Sequence, residues 1–309
     1  MRIEQTRKLL TAGILPSPAP TQDVGALRLR LDALRLVFAA ESLADLLSQA
    51  VREEWSSAAF LDALLRLELE RQEERRIAQA IRISHLPTGP TIANFDFAFQ
   101  PSVSRNQIEM LATCQWLRDC QSLLLQGPPG VGKSHLTTAL GMRAIENGFS
   151  VCFMQMDELV HQLKRDADVS PTRLKHKKYM ASSLLIVDEF GYEALDRSTA
   201  NLFFRVVNHR YRRSSIAITT NKGIASWPEV FAGDEVLAGA ILDRLLHSAV
   251  VLNIQGRSYR LRDLEAQLGA ASETTTTPSP VPPPEASLEE NLAKCSDSNP
   301  KSSLPSSEG

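Results

Sequence analysis

One stretch restricts the possible folds of this chain more than any other. Gly127-Pro-Pro-Gly-Val-Gly-Lys-Ser134 follows an apolar run, Ser122-Leu-Leu-Leu-Gln126, and precedes a helical pattern from Leu136 to Ala144. The spacing is G-x-x-x-x-G-K-[ST], in the strand–loop–helix context that this motif requires. Glycines let the backbone wrap closely around an anion. Successive N–H groups then form a nest for phosphate oxygens, and the next helix turns its positive end on the same phosphates. Gly127, Pro128, Pro129, Gly130, Val131, Gly132, Lys133, Ser134 and the adjoining His135 are therefore expected to line a nucleoside triphosphate, ATP in the first instance. Lys133 is expected on the β- and γ-phosphates and Ser134 on Mg²⁺.

A second stretch, Ser183-Leu-Leu-Ile-Val-Asp188-Glu189, reads as a buried parallel strand that ends in two carboxylates. Ligands of open α/β sheets bind at the carboxyl ends of strands. Asp188 is expected to hold Mg²⁺ through its water shell. Glu189 is expected to orient and deprotonate an attacking water. Ser215-Ile-Ala-Ile-Thr-Thr-Asn221 is a further buried strand. Asn221 can bond the γ-phosphate or the attacking water, or it can simply end the strand in a turn. Ser150-Val-Cys-Phe-Met154 and Ala249-Val-Val-Leu-Asn253 also have strand length and character. Strands separated by helical patterns predict an α/β fold with a parallel sheet flanked by helices.

Helices precede this region. Leu27, Leu31, Leu34 and Phe38 fall on one helical face, Ser42 with Asp45 predicts a second helix start, and Ser56 or Ser57 a third. The third should run through Ile77 and Ile81 and stop before Pro87. Its mixed charges, Arg71, Arg75, Arg76 and Arg82 among Glu68, Glu70, Glu73 and Glu74, favour a solvated face over a DNA-contacting one. The organisation expected is a flexible segment over 1–23, a helical domain over 24–86, a connector over 87–103 and the α/β domain over 104–269. In the connector, Phe95, Phe97 and Phe99 should pack along a domain edge. Ser104 should cap a helix through Trp116, and Asp157 one through Leu163.

Charge narrows the partners. Of 34 basic and 36 acidic residues, residues 270–309 carry two and six, leaving 32 against 30 over residues 1–269. A nucleic-acid surface would have to be a local patch. The densest is Arg173-Leu-Lys-His-Lys-Lys178, either a solvated face or a contact to a DNA backbone. The acidic segment 270–309, rich in Pro, Ser and Thr, is expected to be disordered. Cys114, Cys120, Cys152 and Cys295 form no C-x-x-C pair, and the six histidines have no paired metal spacing. That pattern fits a reduced, cytoplasmic protein. No apolar run approaches the ~18 residues of a membrane span, and the N-terminus lacks a secretory signal pattern.

Taken in order, Gly127–Ser134, Leu184–Glu189, Thr219–Asn221, Asp243-Arg244 and Ser258-Tyr-Arg260 resemble the AAA+ ATPases. More narrowly, with Asn94-Phe-Asp-Phe-Ala-Phe-Gln-Pro101 and Ile241-Leu-Asp-Arg-Leu-Leu-His247, the chain resembles the IstB-type transposition helper ATPases of insertion sequences, relatives of the DnaC helicase loaders. The resemblance covers roughly residues 24–265. It implies a small all-α N-terminal domain before an AAA+ domain with a five-stranded parallel core and no separate lid. It implies ATP-dependent assembly on duplex DNA as a ring or helical homo-oligomer, target presentation, and stimulation of an IstA-like transposase, with no membrane partner. It matches Asn221 to the first sensor, Arg244 to an arginine finger acting on a neighbouring subunit, and Arg260 to the second sensor. A DnaC-like helicase loader is the alternative, and a nucleotide-binding regulator without hydrolysis the third.

Overall fold

The computed structural model describes residues 23–262. The expectations for residues 1–22, among them the greater part of the flexible segment, and for the acidic segment 270–309 lie outside the described residues, as do residues 263–269 of the expected α/β domain.

Strands β1 (Ser122–Gln126), β2 (Val151–Gln155), β3 (Leu184–Phe190), β4 (Ser215–Thr220) and β5 (Ala249–Asn253) pair in parallel in the order β2-β3-β4-β1-β5. Successive strand residues point to opposite faces, so continuous apolar runs feed two core layers at once. Leu123, Leu125, Leu184, Ile186 and Ala217 enter one layer. Leu124, Leu185, Val187, Ile216 and Ile218 enter the other. A buried leucine at such a position stabilises the fold by about 1.5–3 kcal/mol.

The longer helices are α1 (Val24–Ala33), α2 (Val37–Arg52), α3 (Ser57–Ser84), α4 (Arg105–Ala112), α5 (Lys133–Glu146), α6 (Met156–Arg165), α7 (Arg197–Arg210) and α8 (Glu235–Leu246). Helices α4 and α5 cover the first layer, while α6, α7 and α8 cover the second.

Helices α1 to α3 share a small core of Ala39, Leu43 and Leu64, with Leu27, Leu31 and Phe60 around it. The expected continuous helix through Phe38 is broken, since Arg35 takes a left-handed φ of 62° and α2 restarts at Val37. Ser42 therefore lies inside α2 instead of capping it. The cap comes from another helix. Glu68 of α3 is buried, and its Oε2 accepts the Ala39 N–H at 2.7 Å, where α2 has no side-chain cap of its own. A carboxylate at a helix N-terminus satisfies a free donor and meets the positive end of the dipole.

Ser56 does cap α3, accepting from the Ala59 N–H at 3.2 Å. With 28 residues, α3 is about 42 Å long. It starts in the small core and ends against the sheet, where Ile77, Ala80 and Ile81 pack on the first layer. Its charges pair along the helix, Arg71 with Glu74 and Arg76 with Glu73, as the solvated-face reading expects. Helix α6 is capped by Gln155, and Asp157 sits inside its first turn. Helix α4 ends at Ala112, before a left-handed Cys114 and a separate turn over Gln115–Arg118, instead of running through Trp116. Among the described residues no helix is long and apolar enough to cross a membrane.

Candidate functional site

The loop Gly127–Ser134 leaves the carboxyl end of β1 and enters α5, lining a cavity of about 660 Å³. That volume suits a small-molecule ligand. Two glycines show why the loop has its sequence. Gly130 and Gly132 have φ of 80° and 95°, and a Cβ at either would run into Ser258 or the Phe95 ring. Tyr259 N–H donates to the Gly130 carbonyl at 2.9 Å and fixes the loop further. Helix α5 begins at Lys133 with no side-chain cap, so its first N–H groups remain available for an anion.

Lys133 is buried and donates from Nζ to the carbonyls of Gly127 and Pro128, at 2.9 and 2.8 Å. Burial lowers its pKa; Asp188 and Glu189 counter that shift and the Arg260 guanidinium adds to it. Ser134 Oγ donates to Asp188 Oδ1 at 2.8 Å. Asp188 also accepts from the Thr219 hydroxyl and is 5% exposed. An uncapped helix start, a cradle no Cβ could enter, and a Ser–Asp pair with oxygen ligands fit a triphosphate with a hard divalent cation.

Glu189 has a different environment from its neighbour. It is exposed to the same cavity, and its φ of 59° lies in the left-handed region. For a residue with a side chain such a conformation costs on the order of 1–3 kcal/mol and is held by its surroundings. Asn221 and Arg260 also line the cavity, so the structure brings Lys133, Ser134, Glu189, Asn221 and Arg260 together.

Arg244 lies elsewhere. It lines a second cavity of about 360 Å³, together with Ser122, Ser214 and Ser248 at the amino ends of the strands. Its Nε donates to Asn208 Oδ1 at 2.9 Å and its Nη1 to the Ala240 carbonyl at 2.8 Å, with the guanidinium 4.9 Å over the Phe204 ring. Within one chain it does not join the loop.

The connector supplies residues that sequence reasoning missed. Asn94, Phe95, Asp96 and Gln100 line the phosphate-loop cavity. Phe95 packs edge-on to His135, whose Nε2 lies 2.8 Å from the Thr91 carbonyl. The aromatic stretch is thus one wall of the site as well as an edge of the core. Its unusual density of phenylalanines was the signal available.

The basic cluster is mostly exposed. Half-buried Lys177 pairs with Asp166 at 2.8 Å and exposed Lys178 donates to the Ile83 carbonyl at 3.3 Å; Arg173, Lys175 and His176 are exposed as well. With Arg82, His161 and Arg165, the two lysines flank a cavity of about 1180 Å³ along edge strand β2.

The family model described as IstB-like ATP binding protein matches residues 29–266. The chain is 38% identical over 250 residues to the insertion sequence IS21 putative ATP-binding protein of Pseudomonas aeruginosa, covering 81% of this chain and 94% of that one. It is 38% identical over 234 residues to the insertion sequence IS5376 putative ATP-binding protein of Geobacillus stearothermophilus, covering 76% and 93%. The crystal structure of the DnaC helicase loader aligns with a TM-score of 0.43 and 22% identity, over 53% of this chain and 96% of that one.

Proposed function

The chain belongs to the family of IstB-like ATP binding proteins, and from that premise we propose that it is a cytoplasmic, Mg²⁺-dependent ATPase that assembles on duplex DNA and serves the transposase of an insertion sequence. The observation that carries this reading is the Ser134–Asp188 bond of 2.8 Å, which joins the phosphate loop to the end of β3 beside Glu189. Ser134 and Asp188 are the proposed metal ligands, and Mg²⁺ there would neutralise charge on the phosphates.

Lys133 and the first N–H groups of α5 bind the β- and γ-phosphates. Glu189 takes a proton from the attacking water, and Asn221 orients that water or the γ-phosphate. Arg260 reaches the γ-phosphate from the same subunit. Arg244, which sits away from its own subunit's loop, is proposed to complete the site of a neighbour, so that hydrolysis depends on assembly. DNA is assigned to the exposed residues Arg173 and Lys175 and to the basic rim beside edge strand β2, where Arg82, Arg165, Lys177 and Lys178 offer contacts to phosphate.

Phosphate release measured with and without duplex DNA tests the reading. We expect Mg²⁺-dependent release that DNA stimulates, and about 10²-fold or greater loss of kcat in Glu189→Gln with ATP binding retained. Wild-type turnover in Glu189→Gln would remove the assigned base.

A further inference from the structure

We propose that Thr219 is a positioning residue for hydrolysis, holding a bulge in β3 that turns Glu189 into the phosphate-loop cavity. This rests on the reading of Glu189 as the base.

In a regular strand, adjacent residues point to opposite faces. Asp188 and Glu189 are adjacent, yet the proposed reaction needs both carboxylates in one site. The register of β3 against β4 shows how the chain meets this demand. Val187 pairs with Ile218 and Phe190 pairs with Thr220, so Asp188 and Glu189 together face Thr219 alone. Two residues opposite one is a β-bulge, a device that re-aims a side chain and is common beside active sites.

A bulge interrupts the ladder and leaves backbone donors to be satisfied. Here the donor is the Glu189 N–H, and its acceptor is the Thr219 side chain at 3.0 Å, not a backbone carbonyl. The same hydroxyl spends its proton on Asp188 Oδ1. One oxygen thus accepts from the residue that must turn and donates to the residue that must stay. Thr219 is 1% exposed, whereas Glu189, with its φ of 59°, is exposed to the cavity. The left-handed conformation of Glu189 is compatible with this bond, which ties its N–H to the Thr219 side chain.

Thr219→Val keeps the shape and the strand preference of the side chain and removes both bonds. It should lower kcat roughly 10- to 100-fold, as expected for a displaced catalytic group, while KM for ATP changes less than about twofold. Thr219→Ser, which restores the hydroxyl, should recover most of the rate. In a Glu189→Gln background, Thr219→Val should have almost no further effect on kcat, because both changes act on one group. Amide exchange gives a readout independent of turnover: in the nucleotide-free protein, the Glu189 N–H should lose protection in Thr219→Val and regain it in Thr219→Ser. A thermal melt of each variant establishes that it is folded. If folded Thr219→Val turns over at the wild-type rate, or lowers kcat by the same factor in the Glu189→Gln background, the positioning role is wrong. If wild type and Glu189→Gln hydrolyse ATP equally, the reading of Glu189 fails first, and the amide-exchange result alone then reports on the bulge.

Discussion

The two ends of the sheet are built from similar side chains to opposite purpose. At the carboxyl end, Lys133 and Arg260 share a cavity with Glu189, Lys133 is bonded to the Gly127 carbonyl, and Ser134 is bonded to Asp188. At the amino end, Arg118, Arg212, Arg244 and His247 line a smaller cavity with a single carboxylate, Asp119. Arg118 donates to the Thr113 carbonyl and Arg244 to Asn208 and the Ala240 carbonyl, and Arg212 lies 2.7 Å from His247 Nε2. One end is furnished to receive an anion. The other holds Arg118 and Arg244 through backbone carbonyls and an amide oxygen.

The amino end also holds two arginines with different environments. Arg210 is fully buried, and its Nη atoms donate to the carbonyls of Tyr179, Ser182 and Ser215 at 3.0, 2.9 and 2.7 Å, tying the start of β4 to the turn before β3. Burial pushes its pKa down to about 10. Arg244 is half-buried and uses only part of its donor set on its own chain.

Substitutions can break this contrast. The largest effect is expected from Arg244→Ala, which should lower kcat by about 10³-fold with ATP affinity and unfolding midpoint nearly unchanged. Arg210→Met should do the reverse. It strips donors from several buried carbonyls and should cost about 3 kcal/mol in urea unfolding, with turnover per folded molecule preserved. Glu68→Ala removes the borrowed cap of α2 and should cost about 2 kcal/mol without touching either cavity. The smallest effect is a labelling pattern. In a Cys295→Ser background, Cys120, which lines the amino-end cavity, should be alkylated in the folded protein. Cys152, buried and with its thiol raised to about 11 by burial, should react only on unfolding, because the thiolate is the nucleophile.

The legible part of this protein was local. The phosphate loop, the apolar strands and the Asp188–Glu189 pair each declare themselves within about ten residues, because backbone approach and strand burial impose residue types at fixed spacing. What escaped depends on pairing across the chain. Thr219 reads as one more strand threonine until the register sets it opposite two residues of β3. Glu68 reads as a surface charge among many until α2 is laid beside it. The break at Arg35 carries no glycine or proline to announce it. Phe95 reads as an edge residue, and the wall it forms exists only once Gly132 is folded against it.

If one subunit's carboxyl-end cavity is completed by the next subunit's amino end, two inactive variants should restore each other's activity when mixed. Lys133→Ala subunits retain Arg244 but lack the phosphate-binding lysine, and Arg244→Ala subunits have the converse defect. Mixed in equal amounts with duplex DNA, they should recover roughly a quarter of the wild-type ATPase rate, the share of interfaces that pair an intact loop with an intact arginine. A mixture no more active than the two variants measured apart would mean that no arginine is shared between subunits.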